Sequence, residues 1–289
     1  MYFGQRDSRW ILGASFTVGL AVFILILVSG TYVPTPPYWI PTSQTVNNGF
    51  ALTIVLLLSA PAVIELMNSR WLHDVERNIP ILLRDVAEGV ESGVPLITAL
   101  EDASKRDFGP ISKPLEKSLV RFTFTSDVQG SLHWLGESLR RPIAKRMATV
   151  LTDAYYAGGR INDVLNTSVD LFSSLSDYRE ERRGQTGPYV LVVYIGTAVF
   201  LAVSWVLLTQ FLAPLVARAS DPLVAQSGIL RNVLDVKFYK SILFWACSME
   251  SILGGLVAGK ISDGRVAAGL IHSVLLLLMT LAIFNSFVM

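Results

Sequence analysis

One cysteine, three histidines and a charged fraction of only 16% leave this chain with few groups for chemistry. A lone thiol, Cys247, excludes an internal disulfide and a CxxC metal or redox pair. Set in an apolar run, it reads as a small hydrophobe. The histidines His73, His133 and His272 stand far apart in sequence. No G-x-x-x-x-G-K-[ST], no G-x-G-x-x-G after a strand pattern, no H-E-x-x-H and no G-x-S-x-G occurs. No catalytic group, metal site or cofactor is therefore expected, and any energy has to come from a partner. A formal net charge of +1 gives no global field of the kind that draws nucleic acid.

The missing charge is concentrated in particular places. No Asp, Glu, Lys, Arg or His occurs from Trp10 to Ile64, or again from Gly184 to Ala217. Such runs exceed the ~20 residues that cross a hydrocarbon core. Hydrophobic residues make up 52% of the chain and the mean hydropathy is +0.49. Five spans are predicted, over 11–30, 50–66, 188–215, 241–259 and 266–287. The first competes with a signal peptide, but its apolar part is long for one and no clear small-x-small cleavage site precedes the Pro-rich stretch.

Charge asymmetry then orients the spans. The segment 68–187 carries 16 Lys and Arg, the loop Lys260–Arg265 two more, and the N-terminus Arg6 and Arg9. The loop 31–48 carries four prolines and no charge. The positive-inside rule predicts a cytoplasmic N-terminus, a cytoplasmic 68–187 insert and a cytoplasmic 260–265 loop, in a multi-pass protein of the cell membrane. The stretch 218–240 fits poorly, because it should lie outside yet holds Arg218, Arg231, Lys237 and Lys240. An amphipathic helix lying in the outer interface would accommodate it.

The insert reads as helix after helix. Leu82, Leu83, Val86 and Val90, and later Leu132, Leu135 and Leu139, recur at helical spacing. Gly93 and Pro95, then Asp107-Phe108-Gly109-Pro110, Ser126-Asp127, Arg141-Pro142 and Gly158-Gly159 punctuate the run. About six helices with short connections predict an antiparallel bundle. The fold class is thus all-α: about five transmembrane helices and a helical-bundle domain, divided as 1–67, 68–187 and 188–289. A faint repeat lies inside the insert. Residues 87–100 form a helix, a glycine turn and a second helix ending in a small residue and Leu, and residues 152–165 repeat that shape. The turn glycines suit a C′ position of positive φ. On spacing alone, two ordinary helical hairpins explain the pattern as well.

Leu83, Gly93, Pro95, Leu96 and Ala99-Leu100 in the first hairpin, with Ala154, Ala157, Gly158-Gly159, Ile161, Val164 and Leu165 in the second, resemble the paired helical signatures of the type II secretion F-domain family. The resemblance covers about residues 80–180. Gly254–Arg265 followed by Gly269-Leu270-Ile271-His272 is similar to the closing hairpin of its archaeal branch. Two spans before the domain and three after it also suit an archaeal or Tad-like short member. The resemblance implies a non-enzymatic platform at the base of a type IV pilus, Tad pilus, type II secretion system or archaellum. It would link a hexameric cytoplasmic ATPase to pilin subunits leaving the bilayer. Family members often carry two such domains, so this one would work as a homodimer or beside a related platform subunit.

Individual residues admit a sharper and a plainer reading. Glu250 lies near the centre of the fourth span, where a carboxylate costs about 2.5–3.5 kcal/mol. It suits a contact to a pilin or partner span, a proton site, or a paired packing residue, with His272 as the natural partner to test. Ser251, Gly255 and Gly259 recur every four residues, as close helix packing requires. Arg140, Arg141, Lys145 and Arg146 form a basic cluster fit for lipid headgroups, for an acidic patch on the ATPase, or for plain solvation. Lys260, Asp263 and Arg265 suit either an orienting turn or a docking point. Gly93, Pro95, Gly158 and Gly159 are structural turns. A small-solute transporter or channel is the alternative function, and a faint repeat in the polar insert rather than in the spans argues against it.

Overall fold

A computed structural model describes residues 5–28, 39–215 and 236–287. Among these residues there is no strand. Helix α1 spans Gln5–Val28, α2 Gln44–Glu91, α3 Leu96–Ser104, α4 Ser112–Thr125, α5 Val128–Ser138, α6 Pro142–Tyr156, α7 Ile161–Val206, α8 Val236–Asp263 and α9 Leu270–Phe287. Among the described residues five helical segments are long and apolar enough to cross a membrane, so the protein is an all-α, polytopic membrane protein. The Pro-rich 31–38 part of the first loop and most of the ambiguous 218–240 stretch lie outside the described residues. The chain divides into two compact units. One is Met67–Gly184, and the other comprises the described residues of Gln5–Leu66 and Gln185–Met289. Helices α2 and α7 each contribute to both.

The Met67–Gly184 unit is the helical bundle. Val75, Ile79, Leu82, Leu83 and Val86 of α2 are fully buried, at the 3–4 residue spacing of one helix face. Leu100 of α3, Leu115 of α4, Leu135 of α5, Met147 and Leu151 of α6 and Leu165 of α7 complete one continuous core. The turn after α2 is a Schellman motif. Gly93 has φ 93°, its N–H donates to Val90 O at 2.9 Å, and the Val94 N–H donates to Gly89 O at 3.1 Å. Gly158, after α6, also takes positive φ, at 58°. Between α4 and α5, Ser126 turns left-handed at φ 52° and Asp127 caps α5, accepting from the Gly130 N–H at 2.9 Å. The Ser118 hydroxyl donates to Ser131 O at 2.6 Å and ties α4 to α5.

In the second unit, α1 lies on the first half of α2 through Ser15, which donates to Leu56 O at 2.8 Å, and through Gly19 against Leu57. Asn47 on α2 is fully buried and both ends of its amide are used. It donates to Ser241 Oγ at 2.9 Å and accepts from Trp245 Nε1 at 3.0 Å. The second predicted span, 50–66, is part of a longer helix that starts at Gln44 and runs unbroken to Glu91, with Pro61 and Pro80 inside it. Helix α7 likewise continues through Pro188, where the third span was expected to begin. It passes into a π-helical turn over Leu207–Leu212.

Helices α8 and α9 pack backbone to backbone. A Cβ on Gly255 would lie 2.2 Å from Ser273 N, and one on Gly259 would lie 1.9 Å from Gly269 N. Only hydrogen fits at either place. Close approach of this kind is how helices associate where lipid supplies no hydrophobic drive. The Ser251 and Thr280 hydroxyls add a bond of 2.7 Å, and Phe244 stacks edge-on against Phe284 with centroids 5.3 Å apart.

Candidate functional site

The basic cluster at the α5–α6 junction is largely occupied within its own unit. Arg141, the N-cap residue of α6, pairs with Glu76 at 2.7 Å, and Arg179 of α7 reaches the other oxygen of the same carboxylate at 3.1 Å. Glu76 is mostly buried, so one carboxylate joins three helical segments through charge-assisted bonds. Lys145 pairs with Glu137 at 2.7 Å. Its hydrogen bond holds the Glu137 carboxyl below the usual carboxylate range, and His133 adds a smaller pull in the same direction. Arg140 adopts φ 52°, and Arg146 is exposed on α6. Arg141 and Lys145, two of the four cations singled out in the sequence, thus pair with acids of their own unit, Glu76 and Glu137, which were not singled out.

The Lys260–Arg265 loop is shorter than its sequence suggests, because α8 continues to Asp263. Gly264 makes the turn at φ 71° and its carbonyl accepts from Lys260 Nζ at 2.9 Å. Arg265 pairs with Glu65 on α2 at 2.7 Å, in the same apolar-helix unit. A lysine near the C-terminal end of α8 also complements the helix dipole.

Inside the spans, a polar seam runs along α7. The Thr197 hydroxyl donates to Glu250 Oε1 at 2.9 Å, and Tyr194 Oη lies 2.8 Å from His272 Nδ1. Glu250 and His272 therefore each bind a residue of α7 rather than each other. Glu250 Oε2 is buried without a hydrogen-bond partner. Thr197 Oγ1 is also 3.1 Å from Val193 O. Its single proton can serve one acceptor at a time. Farther along the seam, Ser204 Oγ and Cys247 Sγ are 3.4 Å apart, so the thiol sits buried against a hydroxyl. Along the same helices, Ser251 bonds Thr280 while Gly255 and Gly259 lie against Ser273 and Gly269.

A cleft of about 420 Å³ between α1, α2 and α8 is lined by Phe16, Leu20, Phe23, Phe50, Leu57 and Trp245 among others. Thr53 is its one hydroxyl side chain, and no titratable group lines it. Among the described residues no group of three His, Cys, Asp or Glu side chains is placed to hold a metal ion.

An uncharacterized protein of Methanocaldococcus jannaschii is similar to this chain, 27% identical over 246 residues. That alignment takes in 83% of this chain but 38% of the relative, so the chain spans well under half of the curated relative it matches. No solved structure matches. Residues 82–209 match the family described as type II secretion system (T2SS), protein F. The match begins in α2 within the helical bundle and ends in the π-helical turn after α7, taking in both glycine-turn hairpins. Residues 82–209 of this polytopic membrane protein are similar to the type II secretion system protein F family.

Proposed function

We propose that this chain is the membrane platform of a type IV pilus-like or archaellum-like filament machine, coupling a cytoplasmic hexameric secretion ATPase to the insertion of pilin subunits. The observation that carries this reading is the match of residues 82–209 to the protein F family, in a chain whose described residues include five apolar helices long enough to span a bilayer. The 16 Lys and Arg of residues 68–187 favour a cytoplasmic helical bundle in a cell-membrane protein whose N-terminus is also inside. The platform is not an enzyme, needs no cofactor and takes its energy from the ATPase. Its role is mechanical. ATPase motion is passed to the bundle and then, through the helices continuous with it, to a pilin helix in the bilayer. The chain acts with a second copy of itself or with a related platform subunit.

Deletion of the gene tests this directly. Filaments are expected to disappear while pilin still accumulates in the membrane, and the tagged protein is expected to co-purify with a secretion ATPase. Normal filaments in the deletion strain would overturn the reading. Cysteine labelling at an exposed bundle position tests the orientation, and reaction with an impermeant reagent in intact cells would reverse it.

A further inference from the structure

We infer that the outward face of α4 is the docking ridge for an acidic protein surface, and, resting on the role proposed above, that this surface belongs to the motor ATPase. Helix α4 turns Leu115, Ser118 and Leu119 into the bundle core. At 100° per residue, Lys113, Glu116, Lys117, Val120, Arg121 and Phe124 then share one outward arc of roughly 140°. Phe124 is 85% exposed and Val120, one turn before it, 51%.

The cations beside them are uncommitted. The side chains of Lys113, Lys117 and Arg121 make no hydrogen bond or ion pair among the described residues, and they follow one another at four-residue steps. This distinguishes the ridge from several other cations of the unit. Arg106 pairs with Asp85, Arg141 and Arg179 with Glu76, and Lys145 with Glu137. Nor does the helix itself account for all three charges. A cation near the C-terminus of a helix complements its dipole, but Lys113 sits in the first turn, where the dipole disfavours it.

An aromatic anchor flanked by charge is the anatomy of an interface hot spot, and a ring the size of Phe buries about 150–250 Å² when a pocket receives it. The matching surface carries a row of carboxylates at a rise of about 6 Å per step, with an apolar socket for Phe124 at one end. A lipid surface fits less well. Interfacial helices present a broad apolar face, whereas the apolar side of α4 is spent on its own core. Glu116 within the arc also opposes an anionic membrane but can find a cation on a protein.

The test uses the full-length protein in phosphatidylcholine nanodiscs and the purified secretion ATPase of the same host. Lys113→Glu, Lys117→Glu and Arg121→Glu combined are expected to weaken binding at least about a hundredfold, and Phe124→Ala about tenfold. Arg160→Glu, an exposed charge reversal away from the ridge, should bind as wild type does. Wild-type binding should weaken as salt is raised. Lys113→Arg with Lys117→Arg, which keeps the charge, should retain affinity, and unchanged melting temperatures separate lost docking from lost fold. Wild-type affinity in the charge-reversed and Phe124→Ala variants would overturn the ridge and leave the platform role standing. Failure of the wild type to bind any filament ATPase would overturn both. Ridge-dependent binding to phosphatidylglycerol vesicles, with ATPase binding indifferent to the ridge, would reassign the face to lipid and overturn the protein-docking inference.

Discussion

Arg265, in the turn between α8 and α9, pairs with Glu65 of α2 at 2.7 Å, so the closing hairpin is fastened by charge to a helix far from it in sequence. Glu65 is 17% exposed and Arg265 46%, a partly screened pair worth about 1 kcal/mol. Arg265→Glu should therefore lower the melting temperature by about 2–4 °C in detergent or nanodiscs. Arg265→Glu combined with Glu65→Arg should recover most of that loss. An unrecovered double variant would show that the two residues act independently.

Gly259 allows a sterner test. A Cβ there would fall 1.9 Å from Gly269 N and 2.2 Å from its Cα, both backbone atoms that cannot swing aside. Gly259→Val should part α8 from α9, costing about 1–3 kcal/mol or more. Size-exclusion chromatography and thermal melting should report a polydisperse, less stable protein. By contrast, Gly196→Ala on α7, where a Cβ meets nothing within 4 Å, should be silent.

Glu250 leads to the opposite expectation. A carboxyl at mid-span costs about 2.5–3.5 kcal/mol on insertion scales, and the Thr197 bond offsets only part of that. Glu250→Leu should consequently melt no lower than the wild type. If filament assembly fails in a variant of undiminished stability, the carboxyl serves a contact or transfer role. A melting temperature several degrees lower would mark it as a packing residue instead.

The Glu137–Lys145 pair predicts a modest pH dependence. Lys145 lowers the folded-state pKa of Glu137, so the pair's contribution is present above the ordinary carboxylate range and fades as pH falls through the lowered value. Lys145→Gln should flatten that part of the melting-temperature profile. Identical profiles for the two proteins would show that solvent screens the pair completely.

Local chemistry made much of the architecture legible in the sequence. Uncharged runs of the right length signal the apolar helices without any tertiary information. Gly93, Gly158 and Asp127 are residues whose own backbone or side chain dictates a turn or a cap, and each takes positive φ or caps a helix where its type suggests. Partner choice across helices was much less legible. Nothing near Arg265 in sequence points to Glu65, and nothing near Glu250 points to Thr197. Such pairings are decided by how helices rotate against one another, and a rotation of one helical position redirects a side chain by about 100°. Helix ends were illegible for a related reason. Pro61, Pro80 and Pro188 are local stop signals, yet α2 and α7 pass through them. Within spans, neighbouring helices can satisfy the backbone groups a proline frees.

The glycine contact between α8 and α9 carries a last consequence. Side chains meshed between helices can be exchanged one for another, so such helices can creep past each other in steps. Two backbones in direct touch have no teeth to re-engage. Any displacement of this hairpin moves both helices together as one stiff blade, and bending is left to other parts of the chain.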